Sequence, residues 1–175
     1  EERVKEYGFR GLKLYPTYDH FYPNDRELYP IYEKARELGI PVMFHTGSSV
    51  FPGSKMKYGE PLFLDDVAVD FPELAIVLAH SGRGFWYDQA FFLARLHPRV
   101  YMEISGLPPR KLLQYFPDFE KNADKIIFGS DWPASPGIAY GISEIRRLPV
   151  SEETKAKVLG GNAAKLLGLG VTGGE

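Results

Sequence analysis

Apolar positions in this chain of 175 residues fall into two alternating patterns. Short unbroken runs (Pro41-Val42-Met43-Phe44, Ala75-Ile76-Val77-Leu78-Ala79, and Ile126-Ile127-Phe128) read as strands buried on both faces, as in a parallel sheet. Phe9-Arg10-Gly11-Leu12-Lys13-Leu14 reads as a first strand, and Val100-Tyr101-Met102-Glu103-Ile104 as a later one. Between the runs, apolar residues recur at helical spacing: Leu28, Ile31, Tyr32, Ala35 and Leu38, then Leu64, Val67, Ala68 and Phe71, then Trp86, Ala90, Leu93 and Ala94. Residues 108–123 read as a helical stretch broken at Pro117, and the tail as three helical pieces, 138–147, 151–159 and 162–167. The predicted order is βαβαβαβαβα. The strand ends Leu14, His45, His80, Ile104 and Asp131 fall 31, 35, 24 and 27 residues apart. That matches the roughly 30 residues per unit of a (β/α)8 barrel. The expected fold is therefore α/β, a TIM-barrel-type repeat with about five of eight units present, forming a single domain over residues 1–175.

Local signals refine the boundaries. Asn24 with Glu27 three residues later has the form of a capping box. Pro30 does not suit a helix interior, so the main helix there is expected to start near it, with a separate turn before. Ser151 followed by Glu152 and Glu153 is a good helix start. Gly161-Asn162 reads as a helix break and cap rather than a phosphate loop, because no strand precedes it. The loop from Thr46 to Glu60 is long enough to expect a functional or mobile role.

Composition changes the picture in three places. A hydrophobic fraction of 44%, a charged fraction of 25% and a net charge of -2 give no reason to expect a nucleic-acid partner or a membrane surface. No apolar run approaches the ~20 residues that span a bilayer, and no signal peptide is visible, so a cytoplasmic location is the expectation. The chain has no cysteine, so a metal site would rest on His, Asp or Glu. It begins at Glu1 rather than Met, as a processed chain or a piece of a longer one would.

Three of the strands end in chemistry. The runs before His45 and His80 each break at a glycine, Gly47 and Gly82, and Ile127-Phe128-Gly129-Ser130 presents Asp131. The carboxyl ends of parallel barrel strands are where catalytic groups of such folds sit. Neutral imidazole binds metal or moves a proton near pH 7, so His80 suits either task.

These stretches resemble the amidohydrolase-related metal-dependent hydrolases, a family that also holds non-oxidative decarboxylases. The matching residues are Gly8-Phe9-Arg10-Gly11-Leu12-Lys13, Ile40 to Gly47, Leu78-Ala79-His80-Ser81-Gly82, Ile127 to Pro133, and Gly161 to Leu169, in the family's order. The resemblance implies that the first strand here is like the family's fourth. His45 then matches a metal-ligand histidine. His80 matches a second ligand or acid/base group, and Asp131 a metal-binding aspartate that orients or deprotonates water. The family's His-x-His pair, which supplies two further ligands, has no counterpart in this chain.

The implied activity is hydrolysis of a small-molecule ester, lactone or amide by metal-activated water, with zinc the expected ion and manganese the alternative. The alternatives are a decarboxylase of an aromatic or related acid using the same residues, and a non-catalytic half-barrel. Around the three end residues, Arg83 and Trp86 are candidates to hold a substrate carboxylate and ring, and Glu103, Tyr15 and His20 to touch substrate. Lys13 is expected to be an ion-pair partner, although some binuclear relatives carry a carboxylated lysine at this strand. His97 is expected to be structural. A small molecule is the expected partner, and the open barrel edges are expected to leave apolar surface that promotes self-association.

Overall fold

A computed structural model describes residues 1–134 and 137–170. Five parallel strands, β1 (Leu12–Leu14), β2 (Val42–Gly47), β3 (Ile76–Arg83), β4 (Val100–Glu103) and β5 (Ile126–Ile127), form one sheet in chain order. Nine α-helical segments are described: α1 (Glu2–Lys5), α2 (Pro16–Asp19), α3 (Tyr29–Glu37), α4 (Phe63–Asp70), α5 (Tyr87–Leu96), α6 (Leu112–Tyr115), α7 (Ile138–Arg146), α8 (Glu152–Ala156) and α9 (Asn162–Leu166). The sheet is an incomplete barrel wall, as its strand spacing predicts.

Pleat alternation gives the wall two faces. Val42, Phe44, Ile76, Leu78, Val100, Met102 and Ile126 join Tyr32, Leu64, Val67, Leu93 and Phe116 in one buried core beneath the helices. Each such side chain contributes about 1.5–3 kcal/mol by leaving water. The alternate residues Lys13, Met43, Val77 and Ile127 face the concave side, where Ala163, Leu166 and Leu167 lie opposite them across a small cavity. Val77 and Ile127 are buried there, so the concave face is not bare.

The β5 edge departs from expectation in the same way. Ile127 faces β4, its carbonyl accepting from Ile104 N–H at 3.0 Å, so the backbone groups of 126 and 128 face the other edge. Both have partners. Phe128 N–H donates to Val158 O at 3.0 Å, and the Asn162 side-chain amide donates to Ile126 O at 2.7 Å and Ala123 O at 2.6 Å. Gly161-Asn162 is therefore not a helix break. The helix runs on from α8 to α9 through a π-turn at Lys157–Gly161, and Asn162 fastens it to the strand. A covered edge of this kind does not template further pairing.

Smaller expectations divide. The main helix α3 starts at Tyr29 with Pro30 in its first turn, after a 3-10 turn at Arg26–Leu28. Ser151 Oγ caps α8 by accepting from Thr154 N–H at 3.2 Å. Asn24 is no capping box, because its amide reaches across to Asp66 Oδ2 at 2.7 Å. His97 ties to Asp65 Oδ1 at 2.6 Å, a structural link. No helix of the described residues is long and apolar enough to cross a membrane.

Candidate active site

His45 sits on the concave face of β2, in register with Ala79 of β3. Strict alternation would put His80 on the opposite face with Leu78. A bulge prevents this: Gly47 pairs with Arg83, so four β3 steps match two on β2. His80 and Ser81 take left-handed backbone, φ 63° and 46°. Such conformations cost non-glycine residues of order 1–3 kcal/mol each and persist where surroundings over-determine them. The result brings the His80 ring to 4.8 Å from the His45 ring, centroid to centroid, edge on.

Glu103, at the end of β4, is what holds the bulge. Its buried carboxylate accepts from His80 N–H at 3.2 Å, Ser105 N–H at 2.8 Å and Ser105 O–H at 2.8 Å, while its carbonyl accepts from Ser81 O–H at 2.9 Å. Gly129 of the next strand end leaves the room: a Cβ there would lie 2.9 Å from Glu103 Cδ and closer still to Oε1. Asp131 also adopts left-handed backbone, φ 55°. Its Oδ2 lies 4.0 Å from Arg83 Nη1. Arg83 is pinned from behind, Nε and Nη2 both donating to Ser48 O at 3.3 and 2.9 Å. Gly106 (φ 68°) marks the centre. A Cβ there would come within 3.5 Å of both Asp131 Oδ2 and His80 Nδ1, and closer to Arg83 Nη1.

His45, His80, Arg83 and Asp131 thus gather at one end of the sheet. Asp131 and Arg83 border a cleft of ≈ 720 Å³ with largely apolar walls: Phe51, Ile104, Leu107, Phe128, Tyr140 and Ile145 among them. A second cleft of ≈ 640 Å³ shares Asp131 and Phe51 and adds Tyr15, Tyr18 and Trp132. The two histidines do not line either cleft. Of the other candidates, Tyr15 lines the second cleft and stacks on His45 at 6.4 Å. Glu103 does not line a cleft, because its carboxylate is spent on the bulge. Trp86 caps α5 away from both, and His20 Nε2 instead bonds Gly53 O at 2.8 Å, tying two rim loops together. Sequence reading missed Ser105 and Gly106. Their Ser-Gly pair just past β4 repeats the Ser81-Gly82 pair after His80, a signal that was there to find.

Burial disfavours the charged form of the site's bases. The His45 ring is pushed down to about 3, by desolvation first and then by the neighbouring His80, Lys13 and Arg83. Desolvation also lowers His80, against the opposing pull of Glu103. Lys13 is lowered by burial too, opposed by Glu103 and Asp131; it faces these acids across the concave side and lies 5.2 Å from the Tyr15 ring centre. His45 Nε2 is buried with no hydrogen-bond partner, the state of a nitrogen suited to a metal. His80 Nδ1 is already engaged, 3.0 Å from Ser105 O. Among the described residues no group of three or more His, Asp or Glu is placed to hold an ion. The expected trio His45, His80 and Asp131 is thus not assembled as a metal site, because Asp131 is turned to Arg83 and His80 to Ser105. Catalytic zinc centres hold three protein ligands; the donors among the described residues do not complete one.

The sequence profile of the amidohydrolase family matches residues 1–169. A 2-keto-4-carboxy-3-hexenedioate hydratase from Sphingobium sp. is 33% identical over 107 residues, covering 53% of this chain and 31% of the relative. A 2-amino-3-carboxymuconate-6-semialdehyde decarboxylase from Dictyostelium discoideum is 25% identical, covering 95% of this chain and 55% of its own. Among solved structures, an uncharacterized TIM-barrel protein from Bordetella bronchiseptica superimposes with a TM-score of 0.81 at 28% identity, covering 95% of this chain and 60% of the other. A dihydroxybenzoic acid decarboxylase from Polaromonas, solved with manganese and 2-nitroresorcinol, shares the fold with a TM-score of 0.74 at 19% identity, covering 96% and 63%. The chain spans less than two thirds of the length of each of these proteins. With the profile matched from its first residue nearly to its last, and five parallel strands carrying His45, His80 and Asp131 at their ends, the chain belongs to the amidohydrolase family.

Proposed function

We propose that this chain carries part of the active site of a lyase of its family, a non-oxidative decarboxylase of a small aromatic or unsaturated carboxylic acid. The observation that carries the reading is the juxtaposition of Asp131 and Arg83, 4.0 Å apart, at the edge of an apolar, aromatic-walled cleft. Such a cleft suits a planar ring, and a cation at its border suits a carboxylate. The kinship with a decarboxylase and a hydratase, both acting on unsaturated acids by their names, supports the same substrate class.

In the reaction the bond between the ring carbon and the carboxylate breaks, its electron pair stays on carbon, carbon dioxide leaves, and a proton takes its place. Asp131 is the carboxyl open to the cleft and is assigned the proton; Arg83 holds the negative charge. His80, neutral, is assigned to steady the reacting group. A divalent ion, manganese or zinc, belongs to this reading, with His45 Nε2 as the donor that this chain holds ready; the ligand set is completed beyond the donors described. Hydrolysis by the same residues is the second reading, which membership of the family supports equally.

The test is turnover by the full-length protein with manganese or zinc. Carbon dioxide release from 2,6-dihydroxybenzoate and related acids is measured beside a panel of esters, lactones and amides. Acid decarboxylation that Asp131→Asn reduces at least ~100-fold supports the proposal. Turnover confined to the ester, lactone or amide panel overturns it in favour of a hydrolase.

A further inference from the structure

We infer that Glu103 and Ser105 form a positioning pair that sets which nitrogen of His80 carries the proton. This deepens the role assigned to His80 and rests on that reading. A carbonyl oxygen only accepts, so the 3.0 Å approach of His80 Nδ1 to Ser105 O requires hydrogen on Nδ1. Ser105 Oγ lies 3.1 Å from the same nitrogen. A hydroxyl there could donate to Nδ1 and force the opposite tautomer. It does not, because Glu103 Oε2, an acceptor only, takes the Ser105 hydroxyl hydrogen at 2.8 Å. The lone pairs of Oγ then face Nδ1–H, which lies between two acceptors. Nε2 is left as the basic nitrogen, the one a reacting group or ion would use.

The same carboxylate accepts His80 N–H at 3.2 Å and Ser105 N–H at 2.8 Å, so one buried group controls both the bulge that aims the ring and the proton on it. Glu103 lines neither cleft and acts through His80.

Glu103→Gln keeps one bond of the bulge, from Ser105 N–H, and gives up the one from His80 N–H, which shares Oε2 with the Ser105 hydroxyl. The amide oxygen still accepts from Ser105 N–H, while the amide nitrogen donates to Ser105 Oγ and turns its hydrogen toward His80 Nδ1. The experiment is nitrogen-15 NMR of the histidine side chains in the metal-free full-length protein at neutral pH, with His80 assigned by His80→Gln. Wild type is expected to show His80 as a single Nδ1–H tautomer, and Glu103→Gln to show the Nε2–H form as a major species with the fold unchanged by circular dichroism. A folded Glu103→Gln protein in which His80 stays wholly Nδ1–H overturns the inference. If Glu103→Gln does not fold, Glu103→Asp is read instead, whose carboxylate stops one carbon short of Ser105 Oγ and frees its hydrogen: a tautomer as fixed as in wild type overturns the inference, and a mixture supports it. The tautomer is read without turnover. A protein with the expected spectra and no decarboxylase activity would therefore discard the proposed function and leave the pair standing.

Discussion

Gly129→Ala tests the architecture behind the site with a single methyl group. The added Cβ would stand 2.9 Å from Glu103 Cδ and 3.3 Å from Ser105 Cβ, with Oε1 nearer still. Carbon pairs do not tolerate the first of these distances, so either the carboxylate moves or β5 separates from β4. Moving the carboxylate sacrifices bonds from Ser105 N–H, Ser105 O–H and His80 N–H. Hydrogen bonds to a charged group contribute about 1.5–3 kcal/mol each, and a buried carboxylate that loses one bears most of that cost. The expected destabilisation is therefore about 2–4 kcal/mol, which for a chain of this size lowers Tm by roughly 5–15 °C. Urea denaturation followed by circular dichroism measures it. Gly160→Ala is the matched control: nothing lies within 4 Å of its would-be Cβ, and its helical backbone suits alanine. It should be neutral or stabilise by up to about 1 kcal/mol. A Gly129→Ala protein as stable as its Gly160→Ala counterpart would show that the carboxylate network does not hold the strand ends.

Two further outcomes follow from the same geometry. The folded His45 titrates at about 3 and the unfolded ring near 6.5, so the unfolded state binds more protons as pH falls through that window. Stability should be flat with respect to this residue above pH 6.5 and decline toward pH 3 by up to about 4–5 kcal/mol; His45→Gln should flatten the decline in urea midpoints measured against pH. Asn162→Ala strips two donors from buried carbonyls of 123 and 126, which should cost about 1–3 kcal/mol and give concentration-dependent association in sedimentation velocity. An unassociated variant with wild-type stability would mean that the edge is protected by some other contact.

The strands and their order were legible because buried parallel strands write unbroken apolar runs, and those of β2 and β3 end in histidine. His45 was readable for that reason. His80 was readable as a residue but not as a direction, since alternation from Leu78 aims it away from His45. The bulge that corrects this depends on Glu103, 23 residues on, and no local pattern links the two. The concave face was misjudged for a related reason. Leu166 and Leu167 look like any amphipathic helix end, and nothing in their spacing says that they lie over Val77 and Ile127. Trp86 and His20 were named for their chemistry near a strand end. Their backbone instead gives one the cap of α5 and the other a left-handed turn bound to a neighbouring loop.

The π-turn between α8 and α9 makes the two borders of the sheet unequal in kinetics as well as in contacts. Any strand that would join at β5 must first evict a resident: Val158 O from Phe128 N–H, and the Asn162 amide from Ile126 O. Association there is a displacement reaction, with a barrier set by how often the helix lets go. It should therefore be slow and insensitive to the concentration of the incoming segment once that segment is abundant, and Asn162→Ala should quicken it.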